Sequence, residues 1–136
     1  MLKGGDKMGL FKLGDFKLHS GGKSFFKIDC DALTDEDWAT LARLIYESVP
    51  RFKKVIGIPD GGLKLAKALK VYRFPNPENP VLVVDDVLTT GKSMERIRQS
   101  VGANCIGAVV FARGKCPGWV TPLFVLSSEV KSEIEL

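Results

Sequence analysis

Val81-Leu82-Val83-Val84 is an uninterrupted apolar run, with three prolines in the six residues before it and two aspartates, Asp85 and Asp86, directly after it. A strand with one face in water alternates polar and apolar residues. A run without alternation has to be covered on both faces, as the strands of parallel sheets are. The rest of the chain must therefore supply layers on either side. Thr34, followed by Asp35, Glu36 and Asp37, has the chemistry of a helix start: a capping hydroxyl, then acids at the positive end of the dipole. Trp38, Leu41, Ala42, Ile45 and Val49 recur beyond it at helical spacing, and Pro50 ends the pattern. A β-branched strand over residues 55–58 leads through Pro59-Asp60-Gly61-Gly62 into a helix reaching about Leu69. Residues 71–74 read as another short strand, and residues 75–80 are too rich in proline for regular structure. A helix over 93–101 and strands over 106–111 and 121–126 complete the series.

Strands alternating with helices predict an α/β fold, a mostly parallel, Rossmann-like sheet flanked by helices and built from right-handed βαβ units. The 136 residues fit one domain. Within it we expect a small hood-like segment over 1–32, with a strand-like stretch at 24–28, an α/β core over 33–126, and a charged, loosely held tail over 127–136. Ligands of open parallel sheets bind beyond the carboxyl ends of the strands. The residues after Ile58, Val84 and Phe111 are therefore where chemistry is expected.

Charge and composition narrow the classes of function. Twenty Lys and Arg against 16 Asp and Glu leave a net charge of +4, which favours small anionic ligands and is no nucleic-acid signature by itself. Lys3, Lys7, Lys12, Lys17, Lys23 and Lys27 make the first fifth of the chain basic, as a solvated surface would be. Cys30, Cys105 and Cys116 stand far apart, with no Cys-x-x-Cys pair, and His19 is the only histidine. These counts argue against a disulfide framework and a His-based metal cluster, and for a reducing cytoplasm. No stretch has the apolar length of a signal peptide or a membrane span.

The chemistry concentrates after the buried run. Adjacent carboxylates at Asp85 and Asp86 can accept hydrogen bonds from the vicinal hydroxyls of a ribose, or act as outer partners of a magnesium ion. Val87, Leu88, Thr89, Thr90 and Gly91 then turn into a helix. That turn offers backbone N–H groups, the hydroxyls of Thr89, Thr90 and Ser93, a helix N-terminus and the nearby charge of Lys92, which are the donors a phosphate monoester needs. Gly91-Lys92-Ser93 is not the end of a P-loop, because the first glycine of that motif would fall on Asp86. Nor do the acids follow a first strand, as they do in phospho-acceptor receiver domains.

Residues 83–93 (VVDDVLTTGKS) resemble the phosphoribosyl pyrophosphate motif of type I phosphoribosyltransferases, and residues 56–63 (IGIPDGGL) resemble that family's pyrophosphate loop. Residues 14–26 (GDFKLHSGGKSFF) are similar to the opening of orotate phosphoribosyltransferases, where such a segment forms a hood over the base. The resemblance implies transfer of ribose phosphate from phosphoribosyl pyrophosphate to orotate or a similar pyrimidine, with Mg2+, in a homodimer. It implies that Asp85 and Asp86 are catalytic, holding the ribose and, through ligand and water, the metal. Val87, Leu88, Thr89, Thr90, Gly91, Lys92 and Ser93 would hold the phosphate, and Asp60, Gly61 and Gly62 would face the diphosphate. Arg73 matches a strand-end arginine on the phosphoribosyl pyrophosphate side, and Lys23, Phe25, Phe26 and Arg113 match the base site. The chain departs from the family where a long mobile loop with catalytic Lys and His residues is expected. Only residues 75–80 separate Arg73 from the next strand, and Gly61 stands where a basic residue is common. A catalytically weak protein that senses phosphoribosyl pyrophosphate or a nucleotide is the alternative, and the lysine-rich N-terminus is the candidate substitute for the loop.

Overall fold

The computed structural model describes residues 11–17, 23–102 and 104–126. The apolar run at Val81 opens the second strand of a four-stranded parallel sheet, ordered β3 (Lys54–Gly57), β4 (Val81–Leu88), β5 (Cys105–Arg113) and β6 (Val120–Leu126). Helices α1 (Asp35–Ser48), α2 (Gly61–Leu69) and α3 (Lys92–Val101) flank it. Strands β1 (Phe11–Lys17) and β2 (Lys23–Ile28) pair antiparallel in a separate two-stranded sheet. The predicted tail over 127–136 and the segment before Phe11 lie outside the described residues.

Thr34 starts α1 as its chemistry predicts. Its hydroxyl accepts the Asp37 N–H at 3.1 Å, and the Asp37 carboxylate accepts the Thr34 N–H at 2.9 Å, so two otherwise orphaned donors are satisfied reciprocally. Trp38, Ala42 and Ile45 are the buried stripe of that helix. They join Leu65, Ala66 and Leu69 of α2 against Leu82, Val84, Ala108 and Val110. Val83 and Val109 point the other way and pack with Met94 of α3. The sheet is thus covered on both faces, and this is why the central run has no polar positions. Each fully buried Val or Leu contributes about 1.5–3 kcal/mol.

Two expected boundaries move. Residues 71–74 are no strand: Lys70–Tyr72 is a 3-10 turn that closes α2, and Val71 is 80% exposed. β-branched and aromatic residues favour strands only where a partner strand receives them, and β3 pairs with β4 alone. The second strand, conversely, runs past Val84 to Leu88, because β5 continues to offer it partners as far as Ala112.

The last crossover also departs from helix alternation. Residues 114–119 carry the chain back from the carboxyl end of β5 to the start of β6 without a helix. Trp119 anchors this crossover against the sheet and α3. Its carbonyl accepts the Gly107 N–H at 2.9 Å, its ring lies beneath the Arg98 guanidinium at 4.8 Å, and it packs with Met94 and Cys105. A Cβ on Gly107 would stand 2.9 Å from the Trp119 ring and 3.0 Å from the Met94 methyl. Gly107→Ala is therefore expected to cost about 1–3 kcal/mol by overpacking, read as a lower midpoint in urea unfolding. An unchanged midpoint would show that the Trp119 crossover is not tightly seated.

Candidate ligand-binding site

The carboxyl edge of the sheet is built around the place where β3 stops and β4 goes on. Gly57 pairs with Val84, and the Ile58 N–H makes a last bond to the Val84 carbonyl at 2.9 Å. The chain then turns away through Pro59-Asp60, joined by a cis peptide, into α2. Asp85 and Asp86 therefore keep β5 on one side and face the turn on the other. That turn lies against them because it carries glycines. A Cβ on Gly61 would collide with the Asp86 carboxylate, and one on Gly62 would meet the Val84 carbonyl at 2.6 Å and the Asp85 Cα at 3.2 Å. The glycine at position 61, read from sequence as a lost basic residue, is here a steric requirement.

The two acids are half-buried and oriented by the backbone. The Asp86 N–H donates to Asp85 Oδ1 at 2.8 Å, and the Val87 N–H donates to Asp86 Oδ1 at 2.7 Å. Burial, then the hydrogen-bonded, charged Asp86 carboxylate beside it, push Asp85 up to about 8. Cys30, which the sequence weighs only as a disulfide candidate, belongs to this neighbourhood. It opens the 3-10 turn Cys30–Ala32 that follows β2, and its thiol stands beside Asp86. Burial and that carboxylate push the thiol up to about 12, so it stays protonated. No motif marks it, because Cys30 and Asp86 are far apart in the chain.

Beyond Leu88 the chain forms a cradle. Gly91 takes φ 80°, a left-handed conformation that suits glycine, and α3 starts at the next residue with no side chain capping it. Helical bonding begins with Glu95 N–H to the Gly91 carbonyl, and the Lys92 N–H has only a long 3.4 Å contact with Thr90 Oγ1. The first amides of α3 thus keep donors for a ligand, at the positive end of the helix dipole. Asp85, Val87, Leu88, Thr89, Thr90, Gly91, Lys92, Ser93 and Met94 enclose a cavity of about 60 Å³. That is several times the roughly 10–15 Å³ one water requires. A larger hollow of about 460 Å³ lies between α1 and β6, lined by Leu33, Leu41, Phe111, Phe124 and Leu126 with Asp37 and Thr40. It is nearly all apolar, and Asp37 is engaged at the helix cap, so the small polar cradle is the better site for an anion.

The register decides which expected residues meet. Leu88 pairs with Ala112, which places Arg113 on the same carboxyl edge, one row beyond, where burial lowers its pKa from the ordinary value. Asp60, Gly61, Gly62, Asp85, Asp86 and the turn from Val87 to Ser93 share that edge, although the Val87 side chain packs against the core. Arg73 does not, and its assignment to the phosphoribosyl pyrophosphate side is corrected. It caps the 3-10 turn beside Phe74, whose N–H bonds the Phe52 carbonyl at 2.7 Å, before β3 begins. The length of β3, about 10–13 Å at about 3.3 Å per residue, separates Arg73 from the acids. Lys23, Phe25 and Phe26 lie on β2, and their side chains are outside the described residues. Among the described residues no third His, Cys, Asp or Glu joins Asp85 and Asp86 in a metal cage. The oxygen donors present suit a hard cation that takes its remaining ligands from substrate and water, as Mg2+ commonly does.

The fold is that of a type I phosphoribosyltransferase. No family model matches the chain. The orotate phosphoribosyltransferase of Pyrobaculum aerophilum is 32% identical over 140 aligned positions, covering 80% of this chain and 72% of that protein. Its counterpart in Pyrobaculum islandicum is 32% identical over 137 positions, covering 77% and 69%. The crystal structure of the orotate phosphoribosyltransferase from Aeropyrum pernix superposes with a TM-score of 0.71 at 26% identity, over 98% of both chains. That from Mycobacterium tuberculosis, at 21% identity and a TM-score of 0.62, shows the shared fold. The chain belongs to the orotate phosphoribosyltransferase family. An alignment of 140 positions that uses 80% of a 136-residue chain opens gaps in it, consistent with a truncated loop.

The raised Asp85 carboxyl has a consequence for stability. Its folded value near 8 lies far above the ordinary carboxylate range near 4, so the folded state holds an extra proton between them. The resulting stability is full below about pH 4 and is lost as pH rises through about 8. Thermal unfolding of the ligand-free protein is therefore expected at falling temperature from about pH 5 to about pH 8.5, with a flatter profile for Asp85→Asn. Identical profiles for the two proteins would contradict this electrostatic account.

Proposed function

We propose that the chain transfers ribose phosphate from phosphoribosyl pyrophosphate to orotate or a closely similar pyrimidine. The observation that carries this reading is the meeting, at one strand end, of paired carboxylates and an uncapped helix start, with a glycine turn pressed against the acids. Asp85 and Asp86 accept the vicinal ribose hydroxyls. The amides and hydroxyls from Leu88 to Ser93 hold the phosphate, with Lys92 adding charge. Asp60, Gly61 and Gly62 face the diphosphate. Arg113, with Lys23, Phe25 and Phe26 of the hood, receives the base, the guanidinium pairing with its carboxylate. Bound Mg2+ supplies charge neutralisation at the diphosphate. The chain's own contribution is to fix the anomeric carbon against the incoming base nitrogen and to meet developing charge with prearranged donors, without a covalent nucleophile. The reading extends to a homodimer, as in the resemblance noted above.

A second reading, a catalytically weak sensor of the same ligand, is favoured by one specific observation. The linker that replaces the mobile loop is pinned at the opposite edge. Lys53 N–H bonds the Pro80 carbonyl at 2.9 Å, Lys53 Nζ bonds the Pro77 carbonyl at 3.1 Å, and Asn104 Nδ2 bonds the Glu78 carbonyl at 3.0 Å. It is tied away from the diphosphate. Removal of one such electrostatic donor elsewhere lowers turnover on the order of a hundredfold to a thousandfold.

Orotate consumption with phosphoribosyl pyrophosphate and Mg2+ separates the two readings. Slow turnover is expected, with Arg113→Ala weakening orotate far more than phosphoribosyl pyrophosphate, and deletion of the residues before Leu13 lowering turnover more than binding. Binding without turnover on any base would establish the sensor. Turnover unaffected by the deletion would remove the N-terminal lysines from the mechanism.

A further inference from the structure

The amino edge of the sheet, away from the acids, carries a surface the proposed reaction does not use. Residues 43–54 and 70–73, which meet at this edge, hold six Lys and Arg against one acid, Glu47, a concentration that the whole-chain charge of +4 conceals. Glu47 is engaged by Arg43 at 2.9 Å. Arg51, Lys54, Lys70 and Arg73 are exposed and meet no carboxylate among the described residues. Glu78 is the one acid on the adjoining linker.

Aromatic rings are interleaved with these cations. Tyr46 at the end of α1 stacks on Tyr72, with centroids 4.4 Å apart and planes inclined by 16°, and Tyr46 is 40% exposed. Phe74 is 48% exposed, and the Arg51 guanidinium lies 4.6 Å from its centroid. Scattered exposed apolar residues are ordinary. Here Phe74 sits on a segment fixed by the bonds from Phe74 to Phe52 and from Lys53 to Pro80, and Tyr46 and Tyr72 hold each other by stacking, so ring faces and charges are held in place.

We propose that this edge binds single-stranded nucleic acid. Cations along an edge follow a phosphate backbone, and exposed rings accept stacked bases without regard to sequence. An acidic peptide would engage the cations and leave the rings without a role. A second copy in a two-fold contact would bring like charges together. The proposal goes beyond the reaction at the carboxyl edge and does not depend on it.

The test is fluorescence anisotropy of the full chain with a labelled oligoribonucleotide of about 12 nucleotides, within the site sizes typical of such surfaces. Four cations neutralising phosphates give a slope of log affinity against log salt of about −3. Lys54→Glu with Lys70→Glu should weaken binding by at least about tenfold and roughly halve that slope. Phe74→Ala and Tyr46→Ala should each weaken the oligonucleotide by about fivefold or more while leaving heparin, a polyanion without bases, unchanged. Saturating phosphoribosyl pyrophosphate should have no effect, because it belongs to the other edge. The proposal is overturned if the wild type binds no better than the double charge variant, or if the aromatic variants affect heparin and oligonucleotide alike. Displacement by phosphoribosyl pyrophosphate would overturn it by placing the oligonucleotide in the carboxyl-edge site. Tighter, competing binding of polyglutamate would overturn it in favour of an acidic protein.

Discussion

Two carboxylates side by side at the end of a buried strand repel one another and lose water, and the arrangement around Asp85 and Asp86 follows from accommodating them. Backbone N–H groups of Asp86 and Val87 point at their oxygens, and the Cys30 thiol stands protonated beside Asp86. Gly61 leaves room for the Asp86 carboxylate, and Gly62 lets the turn lie against the backbone of Val84 and Asp85. Even so, burial and the neighbouring charge push Asp85 up to about 8. Hydroxyl donors and positive charge brought by a ligand would favour the ionised pair. The covered sheet beneath, with Leu82, Val83 and Val84 fully buried, keeps this unfavourable cluster from relaxing.

The two edges of the sheet differ in chemistry. Parallel strands put all their carboxyl termini on one side, so the acids, the cradle before α3 and Arg113 collect there without any long connection. The price of parallel pairing is a return path at the other side. Here it is unusually short: the linker after Arg73 crosses the amino edge under several hydrogen bonds and enters β4 directly. That one economy both removes the long loop from the ligand side and presents Tyr72, Arg73 and Phe74 to solvent.

Much of the core was legible because its signals are local. Thr34 before three acids named a helix start, and the unbroken Val81 run named a strand covered on both faces. The acids and the Thr-Thr-Gly-Lys-Ser turn were legible for the same reason: the whole cradle is contiguous in the chain. What was missed depends on pairing partners that the chain itself does not announce. Residues 71–74 have strand composition and no neighbour to pair with, whereas β4 outlasts its apolar run because β5 stays beside it. Trp119 packs on Gly107 across eleven intervening positions, and Cys30 meets Asp86 from a distant part of the chain. Arg73 was misplaced because the strand assumed to carry it does not form.

The central claim is that Asp85 and Asp86, held by the glycine turn, receive the ribose of phosphoribosyl pyrophosphate. Calorimetric titration with that ligand in the presence of Mg2+ tests it most directly, comparing the wild type with the Asp85→Asn, Asp86→Asn double variant. Losing the carboxyl acceptors for two hydroxyls is predicted to weaken binding by at least about thirtyfold, while the variant still unfolds cooperatively. A cooperatively folded variant that binds with near-native affinity would contradict the account.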